Sequence, residues 1–207
     1  MKMNAKYELP FRRRLENKTN YKKRLALLKS GKPRLVVRKS LNHIVAQVIG
    51  FTPKGDIVLA SASSQELKKM GWDSGTGNIP SAYLVGLMAG RRALKNKINE
   101  AVFDMGLYSN IKGSRINSVL KGALDSGLLV PHSEDILPSD DRVRGKHIVE
   151  LSKNLGGKHH LFMKHKPEKL EETFVKIKSE ILKGELNGRE EKTKKEENKR
   201  TGKAGRN

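Results

Sequence analysis

Four stretches of this chain repeat their apolar residues with a helical period, and short strand-like runs lie between them. Leu25, Leu27 and Leu28 follow Thr19 and Asn20, which are good N-caps. A short helix is therefore predicted from about Asn20 to Ser30, stopped by Gly31. Arg34 to Ser40 (RLVVRKS) and His43 to Ile49 (HIVAQVI) read as two strands, with Leu41-Asn42 allowing only a tight hairpin. Thr52 to Asp56 is a second turn and Ile57 to Ala62 a third strand, so the three form an antiparallel meander. Gln65 to Met70 is a helical turn ended by Gly71, and a glycine loop spans Asp73 to Asn78.

The strongest helical stripe follows that loop. Pro80 suits a first turn, and Tyr83, Leu84, Leu87, Met88, Arg91 and Leu94 share a face on a helix running to about Ile98. Small Ala82, Gly86, Ala89 and Gly90 allow close packing. Ala101 to Met105 reads as a short buried strand. Ser114 caps a helix to about Ser126, with Ile116, Val119, Leu120, Ala123 and Leu124 on one face and Gly127 as its stop. Leu128 to Val130 is predicted as a last strand before Pro131. Asp140 to Leu151 is predicted helical, with acids at its start. Asn154 to Lys166 is a loop rich in His and Gly. Leu170, Phe174, Ile177 and Ile181 recur at 4, 3, 4 on an amphipathic helix from Glu168 to Lys183. A long helix between two sheet strands is the crossover that permits parallel pairing, so the order describes a three-layer α/β domain with a mixed sheet.

Charge divides the chain differently. The first forty residues hold fourteen Lys+Arg and two Asp+Glu, more than half of the net +21 carried by all 207 residues. Leu41 to Asp135 is nearly balanced, with ten basic and eight acidic side chains. We divide the chain into a basic arm (1–33), an α/β core (34–135), a helical extension (136–184) and a charged tail (185–207) expected to be disordered. A basic arm ahead of a foldable domain points to a polyanion, nucleic acid foremost. There are no cysteines, which excludes disulfides and thiolate metal sites and suits a reducing compartment. No secretory signal is visible, and no apolar run approaches the ~20 residues of a membrane span. A soluble protein with no membrane partner is expected.

Arg12, Arg13 and Arg14 sit beside Phe11, with Tyr7 and Tyr21 flanking, in a segment without apolar period. It reads as an irregular arm whose arginines grip phosphates and whose rings stack on bases. Arg34 and Arg38 lie an even number of residues apart, so they share a sheet face and can extend that surface; Lys39, Asn42 and His43 surround the turn. The alternative is an ordinary polar strand face. Gly75-Thr76-Gly77-Asn78 opens a helix but lacks Gly-Lys-Ser/Thr, so it is a connecting loop or a phosphate contact of a larger RNA, not a nucleotide motif. His159, His160 and His165 lack the spacing of metal ligands and read better as basic loop residues touching RNA. A meander with a crossover helix also opens ribonuclease-H-like nucleases and resolvases. Their two-metal chemistry needs clustered carboxylates, one on the first strand. Here that strand carries no acid, and Asp104 stands alone on the fourth. No cofactor is expected, and a DNA-compacting protein is the remaining alternative.

Gly113 to Ser133 (GSRINSVLKGALDSGLLVPHS) resembles the 5S-rRNA-binding family of the large ribosomal subunit, protein eighteen in bacterial numbering and five in eukaryotic. Ala82 to Gly86 with Ala89 to Leu94 is similar to the family's long helix. Phe11 to Arg14, Lys18 to Tyr21 and Arg34 to His43 match its opening. Arg144 to Ile148 is similar to a stretch of the longer archaeal and eukaryotic members, so the chain looks archaeal. The resemblance runs from about Tyr7 to Leu182. It implies a ribonuclease-H-like topology without catalysis. It also implies binding to 5S rRNA, contact with 23S rRNA, and a place in the central protuberance with neighbouring ribosomal proteins, including the other 5S-binding protein. By the same resemblance the RNA contacts fall on Arg12, Arg13, Arg14, Lys18, Thr19, Tyr21, Lys22 and Arg24 of the arm. Arg34, Arg38, Lys39, Asn42 and His43 of the hairpin follow, and then Ser114 and Arg115. The match from Leu120 to Pro131 reads as packing: Gly122 and Ala123 permit close helix contact.

Overall fold

The computed structural model describes residues 9–154 and 167–183. The His-rich loop and the tail after Glu185 lie outside them. Two short helices, α1 (Arg12–Leu15) and α2 (Tyr21–Leu28), precede a meander of β1 (Arg34–Lys39), β2 (Ile44–Thr52) and β3 (Gly55–Ser63). Next come α3 (Ser64–Lys69), α4 (Ile79–Lys95), β4 (Val102–Asp104) and α5 (Arg115–Asp125). The extension holds α6 (Asp140–Arg144), α7 (Lys146–Asn154) and α8 (Leu170–Lys183). The sheet runs β3-β2-β1-β4, with β1 antiparallel to β2, β2 antiparallel to β3, and β4 parallel to β1. The fold is α/β with a mixed sheet.

Strand alternation gives the sheet two unlike faces. Leu35, Val37, Ala46, Val48, Ala60 and Ala62 are buried on the inner face. There α4 packs on β2 and β3, and α5 crosses α4 and touches β1. The register sets Arg34 against Ile49, Val36 against Gln47 and Asp104, and Arg38 against Val45, all on the outer face. Asn78 caps α4 by accepting from the Ser81 N–H at 2.9 Å. Every residue from Ile79 to Gly90 is buried, because sheet, α5 and α8 enclose the helix. The carbonyls of the edge strand β3 are covered from α4: Asn96 donates to Leu59 O and Arg92 to Ser61 O. That blunts an otherwise open edge.

Four expectations change. The arm is not wholly irregular, since Arg12–Leu15 forms a turn of helix closed by an Arg12–Glu16 pair at 2.7 Å. The Phe11 ring stands 5.0 Å from that of Tyr21 and ties α1 to α2. Leu128 to Val130 is not a strand: Leu129 alone bridges Glu100 in parallel, while Leu128 and Val130 point into the core and Pro131 lacks the N–H to continue. The predicted helix from Asp140 to Leu151 breaks into α6 and α7 at Gly145, whose φ is +89°. A β-carbon there would lie 2.1 Å from Leu170 Cδ2, so the break lets α8 begin against it. Finally, α8 starts at Leu170, after a 3₁₀ turn over Pro167–Lys169.

The extension packs on its own domain. Leu170, Phe174, Ile177 and Ile181 are all buried in the main core. The Phe174 ring lies 5.5 Å from that of Tyr83 on α4, and burying each such side chain contributes roughly 1.5–3 kcal/mol. Lys178 sits over the Tyr83 ring at 5.0 Å, and the Tyr83 hydroxyl donates to Asp125 Oδ2 at 2.6 Å. Burial, with that bond second, raises the phenol well above its usual range. The proton thus stays on in the folded chain while an unfolded tyrosine ionises near pH 10.0. Stability from this group is complete below that pH and falls as pH rises beyond it. Tyr83→Phe should flatten the alkaline limb of a stability–pH curve measured by urea unfolding. It should also cost about 1 kcal/mol at neutral pH through the lost hydrogen bond.

Candidate nucleic-acid interface

The outer face of β1 would expose a row of charge, but its neighbours change that. Arg34 is 4% exposed. Its Nη1 donates to Asp104 Oδ2 on β4 and its Nη2 to Asp56 Oδ2 on β3, each at 2.8 Å. Asp104 also faces Arg38, whose Nη2 is 3.8 Å from Oδ1. Arg38 Nη1 donates to Val37 O and Asp104 O. Asp56 in turn accepts two bonds of 3.0 Å from Arg24 of α2. The outer face therefore carries an alternating line, Arg24–Asp56–Arg34–Asp104–Arg38. Arg38, with its side chain 48% exposed, is open to solvent at one end.

Between this face and the arm lies a cleft of about 470 Å³. Arg13, Lys18, Lys23, Arg24, Arg34 and Arg38 line it against only Asp56 and Asp104, with Val36 and Ile49 as an apolar floor. Thr19 orients one of these cations, its hydroxyl accepting from Arg13 Nε at 3.0 Å. Lys18 and Arg12 both pair with Glu16 and hold its carboxyl below the usual range. Arg14, Lys22 and Lys23 have no side-chain partner among the described residues. Such a cleft can accept phosphate oxygens from several directions.

The hairpin corner is built into the same surface. Ser40 N–H donates to His43 O at 2.8 Å, and His43 N–H donates to the Ser40 hydroxyl, so Leu41 and Asn42 occupy the turn as expected. Lys39 lies 5.1 Å from the centre of the Tyr108 ring, and the Tyr108 hydroxyl donates to Lys39 O at 2.6 Å. The glycine loop supports this corner. Thr76 Oγ1 donates to Asn42 O at 2.6 Å, and a β-carbon at Gly77 would stand 2.7 Å from Leu41 O. The Thr76 hydroxyl also lies 3.3 Å from His43 Nδ1, which ties the imidazole to the loop. Ser114 caps α5, and Arg115 donates to Gly77 O at 2.8 Å, bracing the loop from the other side.

The two carboxylates of this face, Asp104 and Asp56, are both bonded to the Arg34 guanidinium. Among the described residues no three His, Asp or Glu come together as a metal site. The arrangement is suited to holding phosphate.

A family profile described as "Ribosomal large subunit proteins 60S L5, and 50S L18" matches residues 5–101. The large ribosomal subunit protein uL18 of Methanococcus maripaludis is 46% identical over 191 residues, covering 88% of this chain and 99% of the relative. The chain belongs to the uL18 family. This archaeal uL18-family protein is thus a structural component of the large subunit of the cytoplasmic ribosome, and it is not an enzyme.

Within the uL18-family chain, the predicted site residues fall into three groups. Arg13, Lys18, Thr19, Arg24, Arg34 and Arg38 converge on the cleft. Arg14, Tyr21 and Lys22 line a neighbouring hollow of about 280 Å³ with Leu107, while Arg12 projects from α1 beside Glu16. Lys39, Asn42 and His43 form the hairpin corner against Tyr108 and the glycine loop, and Ser114 and Arg115 serve that loop and helix α5. Lys23, Gly106 and Tyr108 join the surface unforeseen. Lys23 had a signal, being one more cation beside Lys22. Gly106 and Tyr108 had none, because the loop after β4 reaches the arm only through the parallel β1–β4 pairing.

Proposed function

We propose that this protein binds 5S rRNA and contacts 23S rRNA, attaching 5S rRNA to the large subunit to form the central protuberance. The observation that carries this reading is the cleft where arm and sheet place six cationic side chains against two carboxylates. Arginines on two elements can grip phosphates of one folded RNA at a fixed separation, which adds shape recognition to charge. The other 5S-binding protein and further large-subunit proteins are its expected neighbours. Arg13, Arg14, Lys18, Lys22, Arg24, Arg38 and Lys39 would meet phosphate, with His43 and Asn42 nearby for ribose or base. Arg12 sits at the rim. Thr19, Tyr21, Arg34, Ser114 and Arg115 would act mainly by holding the others. The sheet order and the bridge at Leu129, in line for a fifth strand, support a ribonuclease-H-like topology. On this reading the arm, core, extension and tail divide at residues 33, 135 and 184.

Competition tests the reading. Labelled 5S rRNA bound to the protein should resist a hundredfold excess, by mass, of duplex DNA at ~0.15 M salt, and footprinting should show protected positions on the RNA. Equal displacement by duplex DNA would mean that only non-specific polyanion binding is present.

A further inference from the structure

The arm has little to hold it in place. Neither α1 nor α2 contributes a buried residue to the core. Among the described residues, the hydrogen bonds joining these helices to the sheet are the two from Arg24 to Asp56, each 3.0 Å long. Asp56 is itself fixed from below by the buried Arg34, which Asp104 anchors in turn. A carboxylate in a cationic cleft repels phosphate. On charge alone Asp56 weakens the site.

We propose that Asp56 is a positioning residue for RNA: its carboxylate seats Arg24, and with it the arm, on the sheet, so that arm and hairpin meet the RNA as one surface. This rests on the cleft being an RNA interface and adds how that interface is assembled. The geometry suits the task. Asp56 takes Arg24 through both oxygens and Arg34 through one of them, so it fixes the arm's guanidinium relative to β1. Arg24 keeps further N–H groups for a phosphate, and Arg38 lies at the opposite end of the same line of charge. An arm that is seated only part of the time binds more weakly in proportion to the seated fraction.

The sign of one substitution decides between seat and simple charge. In the full chain, Asp56→Asn removes a negative charge, so simple electrostatics predicts 5S rRNA binding tighter by about twofold. The seat predicts binding weaker by about fivefold at ~0.1 M salt. It also predicts faster amide hydrogen exchange in α2 of the free protein, with β1 and β2 unchanged. Arg24→Gln breaks the same contact from the arm, and the double variant should bind no worse than Arg24→Gln alone. Binding by Asp56→Asn that is equal to or tighter than wild type, unchanged α2 exchange, or additive losses would each overturn the proposal. If Asp56→Asn does not fold, Arg24→Gln alone must still speed α2 exchange. A wild-type protein without preference for 5S rRNA would instead remove the functional reading and take this inference with it.

Discussion

Gly122→Ala should destabilise the protein by about 3 kcal/mol and lower its melting temperature by roughly 10 °C. A β-carbon at Gly122 would stand 2.1 Å from Tyr83 O and 2.8 Å from Leu87 N. At Gly86, on the facing helix, it would stand 2.0 Å from Val119 O. These are backbone atoms of α4 and α5, so no rotamer change relieves the clash. The helices must move apart, and α4 cannot move freely because the sheet and α8 hold its other sides. The ~1 kcal/mol by which alanine favours a helix over glycine offsets only part of this. Gly86→Ala should cost a similar amount, and the pair less than the sum, since one separation relieves both. Gly75→Ala is the control. Its nearest atom is Asn78 Nδ2 at 4.0 Å, so its unfolding midpoint should stay within about 0.5 kcal/mol of wild type.

Close packing on each of these helices was legible in the sequence from its small residues, but not that the two helices meet each other. The α8 stripe was legible for a similar reason: Leu170, Phe174, Ile177 and Ile181 lie on one face, and all four are buried. What the stripe could not say is which surface it covers, since Tyr83 lies far away in sequence. Gly145 hid its break because a lone glycine in a polar helix is tolerable, and Leu170 supplies the reason for it from the extension's last helix. The site divides along the same line. Charge density marked the first forty residues as the basic end of the chain, and strand alternation put Arg34 and Arg38 on one face. They could not show that Arg34 is buried. Its two carboxylates arrive from β3 and β4, through pairings 22 and 70 residues apart in the chain. Asp104 looked isolated for the same reason; its partners are arginines that only the parallel strand brings near.

Removing the arm should change how RNA binding depends on salt more than any single substitution does. The cut belongs within residues 1–31, because Pro33 O accepts the Val102 N–H and Lys32 pairs with Glu100, so both still serve the sheet. If the arm contacts ~6 phosphates, log K for 5S rRNA against log salt should lose roughly 4 units of slope, at about 0.7 per phosphate on unpaired strands. The ion pairs refine that figure. Arg12 and Lys18 share Glu16, and Arg24 is bonded to Asp56, so those cations must be shared between carboxylate and phosphate. Arg13, whose side chain bonds only the Thr19 hydroxyl, and Arg14, Lys22 and Lys23 are without a carboxylate partner among the described residues. A loss of about 3 units would assign the contacts to these four, and a loss of about 4 or more would mean that RNA also engages the paired cations. An unchanged slope, in a truncated chain whose circular dichroism and unfolding midpoint show the sheet intact, would take the arm out of the interface and leave Arg38 and Lys39 as its phosphate contacts.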